Sequence, residues 1–279
     1  VVFFMDKNYK ELARQARIKI LTMIHNAGTS HIASNFSCID IFTVLYENLK
    51  EGDEVVVSKG WAAATIYYFL AKQGKIPYED LDKFGKEIDG KIPYLGLAET
   101  NVNGVLVNGG SMGHGLGTAV GIAFAKKRAK EKGVVYCIMS DGELNEGTTW
   151  EGALLAAQHR LDNLVVLIDM NGWQAMGKTA EILPSVFPHW SEIFHSDYGR
   201  QRLLPSWYIR GGNGHNYEMI ESLIFEEPKR LKALKDYLPQ PMCIQFETIK
   251  GKGVSFFEDH LLYHYKHVEK EEYEKALKE

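Results

Sequence analysis

Ser140 to Gln174 reads SDGELNEGTTWEGALLAAQHRLDNLVVLIDMNGWQ. The apolar run before it, Val134 to Met139, ends abruptly at Ser140-Asp141-Gly142. An acidic loop, Glu143 to Glu146, follows and closes at Gly147. From Thr148 to about Leu161 the apolar residues Trp150, Ala153, Leu154, Ala157 and Leu161 recur at helical spacing. A second apolar run, Leu164 to Ile168, stops at Asp169-Met170-Asn171-Gly172. The order is strand, helix, strand, with Asp at one strand tip and Asn at the next. In a parallel sheet both tips reach the carboxyl edge, where open α/β sheets bind ligands. Two oxygen-bearing side chains there suit a hard divalent cation. Asp-Gly and Asn-Gly are also common turn pairs, and either residue alone reads as a turn former. Together, at matching ends of one βαβ unit, they point to a site.

Outward from this unit, Asn108 to Gly117 reads NGGSMGHGLG and precedes a predicted helix, roughly Thr118 to Lys130. Glycines permit close backbone approach and positive φ, and N–H groups at a helix start favour anions. A tight turn looks the same in sequence. The glycines are misplaced for the dinucleotide fingerprint, which also needs a strand directly before them. Towards the N-terminus, Leu12, Ala16, Ile20, Met23 and Ile24 give Asp6 to Asn26 a helical period. Ala27 to His31 breaks it, and Ile39 to Asn48 resumes a helix. His31 in the break is either a turn residue or a group able to move a proton near neutral pH. Val55 to Val57 is a short strand, and Ala62 to Gln73 a helix. Between them, Trp61 either packs at the helix start or stacks on a flat ring.

Beyond Asn171, Ile182 to Trp190 is expected to form a covering loop. Ile193 to Tyr198 is a predicted short helix, Trp207 to Ile209 a strand, and Gly211 to Asn216 a turn. Tyr217 to Leu234 reads as a helix interrupted near Pro228, and Met242 to Glu247 as a strand. Thr248 to Gly253, TIKGKG, is either a solvated basic turn or an approach to phosphate. The tail, Lys266 to Glu279, reads as a solvated helix of mixed charge.

Length and composition set outer limits. The 279 residues suffice for one large α/β domain. The formal net charge of −4 gives no reason to expect nucleic acid or an anionic membrane as partner. No apolar run approaches a membrane span, and Val1 to Phe4 lacks the length and basic start of a signal peptide. Cys38, Cys137 and Cys243 are far apart, with neither disulfide nor metal spacing, and read as buried thiols of a cytoplasmic protein.

The central segment resembles the thiamine diphosphate signature of transketolases, a Gly-Asp-Gly that ends about thirty residues later in Asn. Ser140 replaces the first Gly. The remainder, including TIKGKGV, is similar to the N-terminal subunits of split transketolases over nearly the whole chain. The resemblance implies a doubly wound, mainly parallel sheet in a single diphosphate-binding domain, 1–279. Its N-terminal helix would span 6–26 and its charged tail 266–279. Also implied is transfer of a two-carbon ketol unit from a ketose to an aldose through thiamine diphosphate and Mg²⁺. Asp141, Asn171 and the carbonyl of Trp173 match the family's metal ligands. Gly110, Ser111, Met112, Gly113 and His114 match the segment that frames the cofactor. Gly142, Glu143 and Lys252 lie in matching cofactor-binding segments. His31 matches a His facing the reacting carbons, and His264 a channel His. Glu146 matches a Glu joining the two active sites of a dimer. Trp61 stands where the family has a His beside the diphosphate, and Pro93 or Tyr94 where a His-Pro is common. The Glu that acts on the pyrimidine ring lies on the family's next domain. A separate pyrimidine-binding subunit, in an α2β2 assembly, is therefore expected. Two rival readings remain: a subunit of an enzyme decarboxylating pyruvate or another 2-oxoacid, and a non-catalytic scaffold.

Overall fold

The computed structural model describes residues 8–183, 207–234 and 238–279. Its sheet comprises β1 (Glu54–Val57), β2 (Val135–Ser140), β3 (Leu164–Met170), β4 (Tyr208–Asn213) and β5 (Met242–Glu247). The strand order is β1-β2-β3-β5-β4, and every neighbouring pair is parallel. The strands read as near-continuous apolar runs because both sheet faces are covered. Alternation along each strand divides its residues between two cores. Val57, Tyr136, Ile138, Val165, Leu167 and Ile244 enter one; Val56, Cys137, Met139, Val166, Ile168 and Cys243 enter the other.

Helices α1 (Tyr9–Ala27), α2 (Ile32–Phe36), α3 (Ile39–Tyr46) and α4 (Ala63–Lys72) pack on the first face through Ile20, Ile24, Phe36, Phe42, Leu45 and Leu70. Helices α5 (His114–Ala129) and α6 (Gly147–Gln158) cover the second through Leu116, Val120, Ala153 and Ala156. This is the doubly wound arrangement read from the sequence. Cys38, Cys137 and Cys243 are buried free thiols, as expected. Among the described residues, no helix is long and apolar enough to cross a membrane.

Local chemistry sets the element ends. Asn8 caps α1 by accepting the Glu11 N–H at 3.1 Å, and Gly28 ends it in the left-handed region at φ 60°. The helix predicted from Thr118 begins earlier, at His114, because the glycine turn is the helix's own entry. The turn read at Gly211 to Asn216 is partly strand: β4 runs through Gly211-Gly212-Asn213. A Cβ on Gly212 would come within 2.6 Å of Leu223, so glycine there answers helix packing rather than a bend. The interruption foreseen near Pro228 is a π-helical turn, Ser222–Glu226, just ahead of it. In the tail only Lys270–Ala276 is helical, and it docks on α1: Tyr273 stacks on His25 with centroids 4.4 Å apart. Residues 1–7, the covering loop from Pro184 onwards and the helix expected at 193–198 lie outside the described residues.

Candidate functional site

In register, Ser140 pairs with Asp169. The chain therefore leaves β2 and β3 side by side, and Asp141 and Asn171 emerge at one edge. Asp141 is 2% exposed. Its Oδ2 accepts the Gly172 N–H at 2.8 Å and the Thr179 hydroxyl at 2.9 Å; Oδ1 accepts the Gly142 N–H at 3.0 Å. It forms no ion pair among the described residues. Burial, with Asp169 adding to it, pushes its pKa up to about 6. Asn171 spends its Nδ2 on Asp169 at 3.2 Å. The amide oxygen accepts the Trp173 N–H at 3.0 Å. A buried carboxylate with no ion pair among the described residues, at the strand tip neighbouring that of an oriented amide, fits a hard divalent ion.

Below this pair lies a group the sequence reading passed over. Asp169, fully buried, pairs with the Nζ of Lys59, which is itself buried. Asp169 also accepts hydrogen bonds from Ser37 at 2.6 Å and from Thr248. Burial opposes ionisation of Asp169, but the Lys59 charge and the hydrogen bonds from Lys59, Ser37 and Thr248 together outweigh it and hold the carboxyl below its usual range. A charged residue inside LVVLIDM was the available signal, since a buried strand charge requires a partner.

The glycine turn closes on the same edge. A Cβ on Gly109 would fall 2.5 Å from the Cα of Gly60, and one on Gly113 2.7 Å from the Cβ of Glu146. Gly113 has φ 79°. Glu143 is buried. It accepts the Gly113 N–H at 3.0 Å, the Ser140 N–H at 2.8 Å and the hydroxyl of Ser58. It therefore ties the glycine turn to the ends of β1 and β2. Gly110 is half-buried, and Ser111 and Met112 are exposed on the turn. A Cβ on Gly142 would lie 3.7 Å from the Met112 sulfur. The exposed His114 ring bonds the Met112 carbonyl at 3.0 Å. Glu146, half-buried, makes no side-chain hydrogen bond or ion pair among the described residues.

A ring cluster stands beside these turns. His31, in the left-handed region at φ 71°, stacks on Trp61 with centroids 4.5 Å apart and planes 12° from parallel. It meets His264 edge-on at 4.9 Å. Trp61 is 40% exposed, so it is a wall rather than core packing. Lys250, 1% exposed, places Nζ 2.8 Å from the Nδ1 of His264 and 5.9 Å from the centre of the Trp173 ring. Burial, with Lys59 nearby, brings the Lys250 pKa down to about 8. Burial and the Lys250 charge bring His31 down to about 4 and His264 to about 3. Both imidazoles are accordingly neutral at physiological pH.

Lys250, not Lys252, is the lysine in contact with His264 and Trp173; the Lys252 ammonium pairs with Glu258 at 3.3 Å. Tyr94 is buried against Tyr67, with its hydroxyl on Asp80 at 2.8 Å. The side chain found against the glycine turn is Leu97, 3.0 Å from where a Gly110 Cβ would stand.

A family model described as transketolase, thiamine diphosphate binding domain, matches residues 9–276. An apulose-4-phosphate transketolase subunit from Phocaeicola vulgatus is 30% identical over 275 residues, covering 94% of this chain and 90% of its own. A 6-deoxy-6-sulfo-D-fructose transketolase subunit from a Clostridium species is 30% identical over 290 residues, covering 99% and 98%. The crystal structure of transketolase from Campylobacter jejuni superposes with a TM-score of 0.83 at 27% identity, over 97% of this chain and 42% of that one. The chain belongs to the transketolase family, whose reaction is ketol transfer with thiamine diphosphate and a divalent metal. Within that family it is the thiamine diphosphate-binding portion, and it matches subunits of split transketolases nearly end to end.

Proposed function

We propose that this chain, as one diphosphate-binding domain over 1–279, forms the N-terminal half of a cytoplasmic split transketolase. It moves a two-carbon ketol unit from a ketose to an aldose. The observation that carries this reading is the adjacent pair Asp141 and Asn171, buried and oriented at neighbouring strand tips. They would hold Mg²⁺ together with the Trp173 carbonyl, with the diphosphate supplying further oxygens. Bound thiamine diphosphate supplies the nucleophilic carbon and the electron sink of the reaction.

The chain's own groups do the rest. The Gly113 N–H is taken by Glu143; the other N–H groups of the turn from Gly110 to His114 would face the anionic end. Glu143 fixes that turn against β1 and β2. Neutral His31 and His264 present ring nitrogens to substrate oxygens, and Lys250 supplies positive charge beside them. Glu146 lies at the turn's base, against Gly113, and would serve the link to a second active site in the assembly. A separate pyrimidine-binding subunit would supply the Glu that acts on the pyrimidine ring, in an α2β2 assembly. Two relatives are named for an apulose phosphate and a sulfofructose. Their shared feature supports a ketose with a terminal phosphate or sulfonate as donor here.

Calorimetry of the chain reconstituted with its partner, with thiamine diphosphate and Mg²⁺, tests the site. Asp141→Ala is expected to weaken binding on the order of 100-fold, the scale of one lost charged contact. Unchanged affinity would overturn the assignment. No binding by the unaltered pair would favour a scaffold. Turnover of pyruvate, but not of a ketose phosphate, would favour the decarboxylating reading.

A further inference from the structure

A second buried polar network lies outside the site. Asp40, in the first turn of α3, is 2% exposed. Its carboxylate accepts Arg17 Nη2 at 2.8 Å, His215 Nδ1 at 2.7 Å and the Tyr217 hydroxyl at 2.9 Å. Two of these partners continue past Asp40 to the turn after β5. His215 Nε2 accepts the Ile249 N–H at 2.8 Å. Arg17 Nε donates to the Lys252 carbonyl at 2.9 Å. Ile249 and Lys252 bracket Lys250, so the network grips the turn on both flanks of the lysine.

The chemistry of each contact is fixed by its neighbour. Because Nε2 of His215 accepts a backbone proton, the ring's own proton sits on Nδ1 and points at Asp40. The turn it holds contains Gly251 at φ 81° and Gly253 at φ 107°, residues with little conformational preference of their own. A buried ammonium on such a turn tends to swing towards water unless the backbone is held. Lys250 makes no ion pair among the described residues; its close polar partner is Nδ1 of His264, at 2.8 Å. As donor to Nδ1, the ammonium leaves the His264 proton on Nε2, so that nitrogen becomes a donor towards the site.

We propose that Asp40, acting through His215 and Arg17, is a positioning residue for Lys250, and through it sets the tautomer of His264. The inference rests on the reading of Lys250 and His264 as site residues. The competing role for the network is to staple α1, α3 and the edge of the sheet, with no consequence at His264.

Nuclear magnetic resonance of the full chain with ¹⁵N-labelled histidine separates the two roles, the His264 signals being assigned with His264→Gln. The unaltered chain is expected to show the Nε2-protonated form of His264. In His215→Leu the single-tautomer signature of His264 should be lost, giving signals averaged between both forms. His215→Gln, whose amide can both accept from Ile249 and donate to Asp40, should restore it. If His215→Leu does not fold, Arg17→Met, which removes the other arm, carries the same expectation. His264 signals unchanged in a folded His215→Leu or Arg17→Met chain would overturn the proposal, whatever the change in stability. The readout needs neither cofactor nor partner, so it stands or falls separately from the catalytic reading.

Discussion

Lys59 and Asp169 carry opposite charges inside the protein, and their worth lies less in stability than in what they orient. Buried pairs often gain little over apolar residues of similar size, whereas removing one partner strands the other. Asp169 receives four side chains: Ser37, Lys59, Asn171 and Thr248. One of them is a proposed metal ligand, so the pair sets which way the Asn171 amide faces. Lys59→Met is expected to destabilise the chain by about 3–5 kcal/mol, because Asp169 is left charged and buried. Adding Asp169→Leu should recover most of that loss in urea unfolding, yet leave metal-dependent cofactor binding impaired. A double variant as unstable as the single one would show that Asp169 is not where the cost resides.

At the scale of elements, the site is a set of loop starts gathered on one sheet edge. β1 delivers Ser58 and Lys59, β2 Asp141 and Glu143, β3 Asn171, and β5 Thr248 and Lys250. The glycine turn fits among them because glycine faces glycine where Gly60 and Gly109 cross. Each Cβ added there meets backbone, which cannot rotate away. Gly60→Ala is therefore expected to cost about 1–3 kcal/mol by overpacking and to shift the turn away from β1. Urea unfolding reads the first effect and cofactor titration the second. A variant of unchanged stability would mean that the crossing is looser than described.

The same elements explain what the sequence disclosed. β2, β3 and β5 were legible because strands covered on both faces are apolar throughout, and Asp141 and Asn171 because they end such runs. The Gly-rich turn was legible as a turn, while its function was not, since close approach depends on Gly60, far away in the chain. Lys250 is easily confused with Lys252 because two lysines on one glycine-rich turn differ only in direction. That direction is set by Arg17 and His215, which lie 235 and 34 residues from their turn partners. Glu143 reads locally only as the first residue of an acidic loop. Its contacts with Ser58 and Gly113 are non-local. The partners of Tyr94, Tyr67 and Asp80, are supplied by packing and are likewise not read from a motif.

For the whole molecule, the carboxyl edge bears on how the enzyme is assembled. Trp61 is 40% exposed, Met112 36% and Met176 73%. All three flank the proposed cofactor position: Trp61 beside His31, Met112 over Gly142, and Met176 on the turn after Trp173. Apolar side chains around a polar site are costly to leave in water but useful where a second protein surface closes over it. Excluding water there would strengthen each charge–dipole contact around the reacting atoms. The proposed pyrimidine-binding subunit would do both at once, adding the Glu that acts on the pyrimidine ring and covering this rim. The chain alone is thus expected to transfer no ketol units, and titration with the partner should restore transfer that saturates at equal numbers of the two chains. Sedimentation of the saturated mixture should give the mass of an α2β2 assembly. Met176→Glu, at a side chain 73% exposed, should weaken that assembly and leave the folding of the isolated chain unchanged. Full activity from this chain alone, or assembly indifferent to a charge at Met176, would place the closing surface elsewhere.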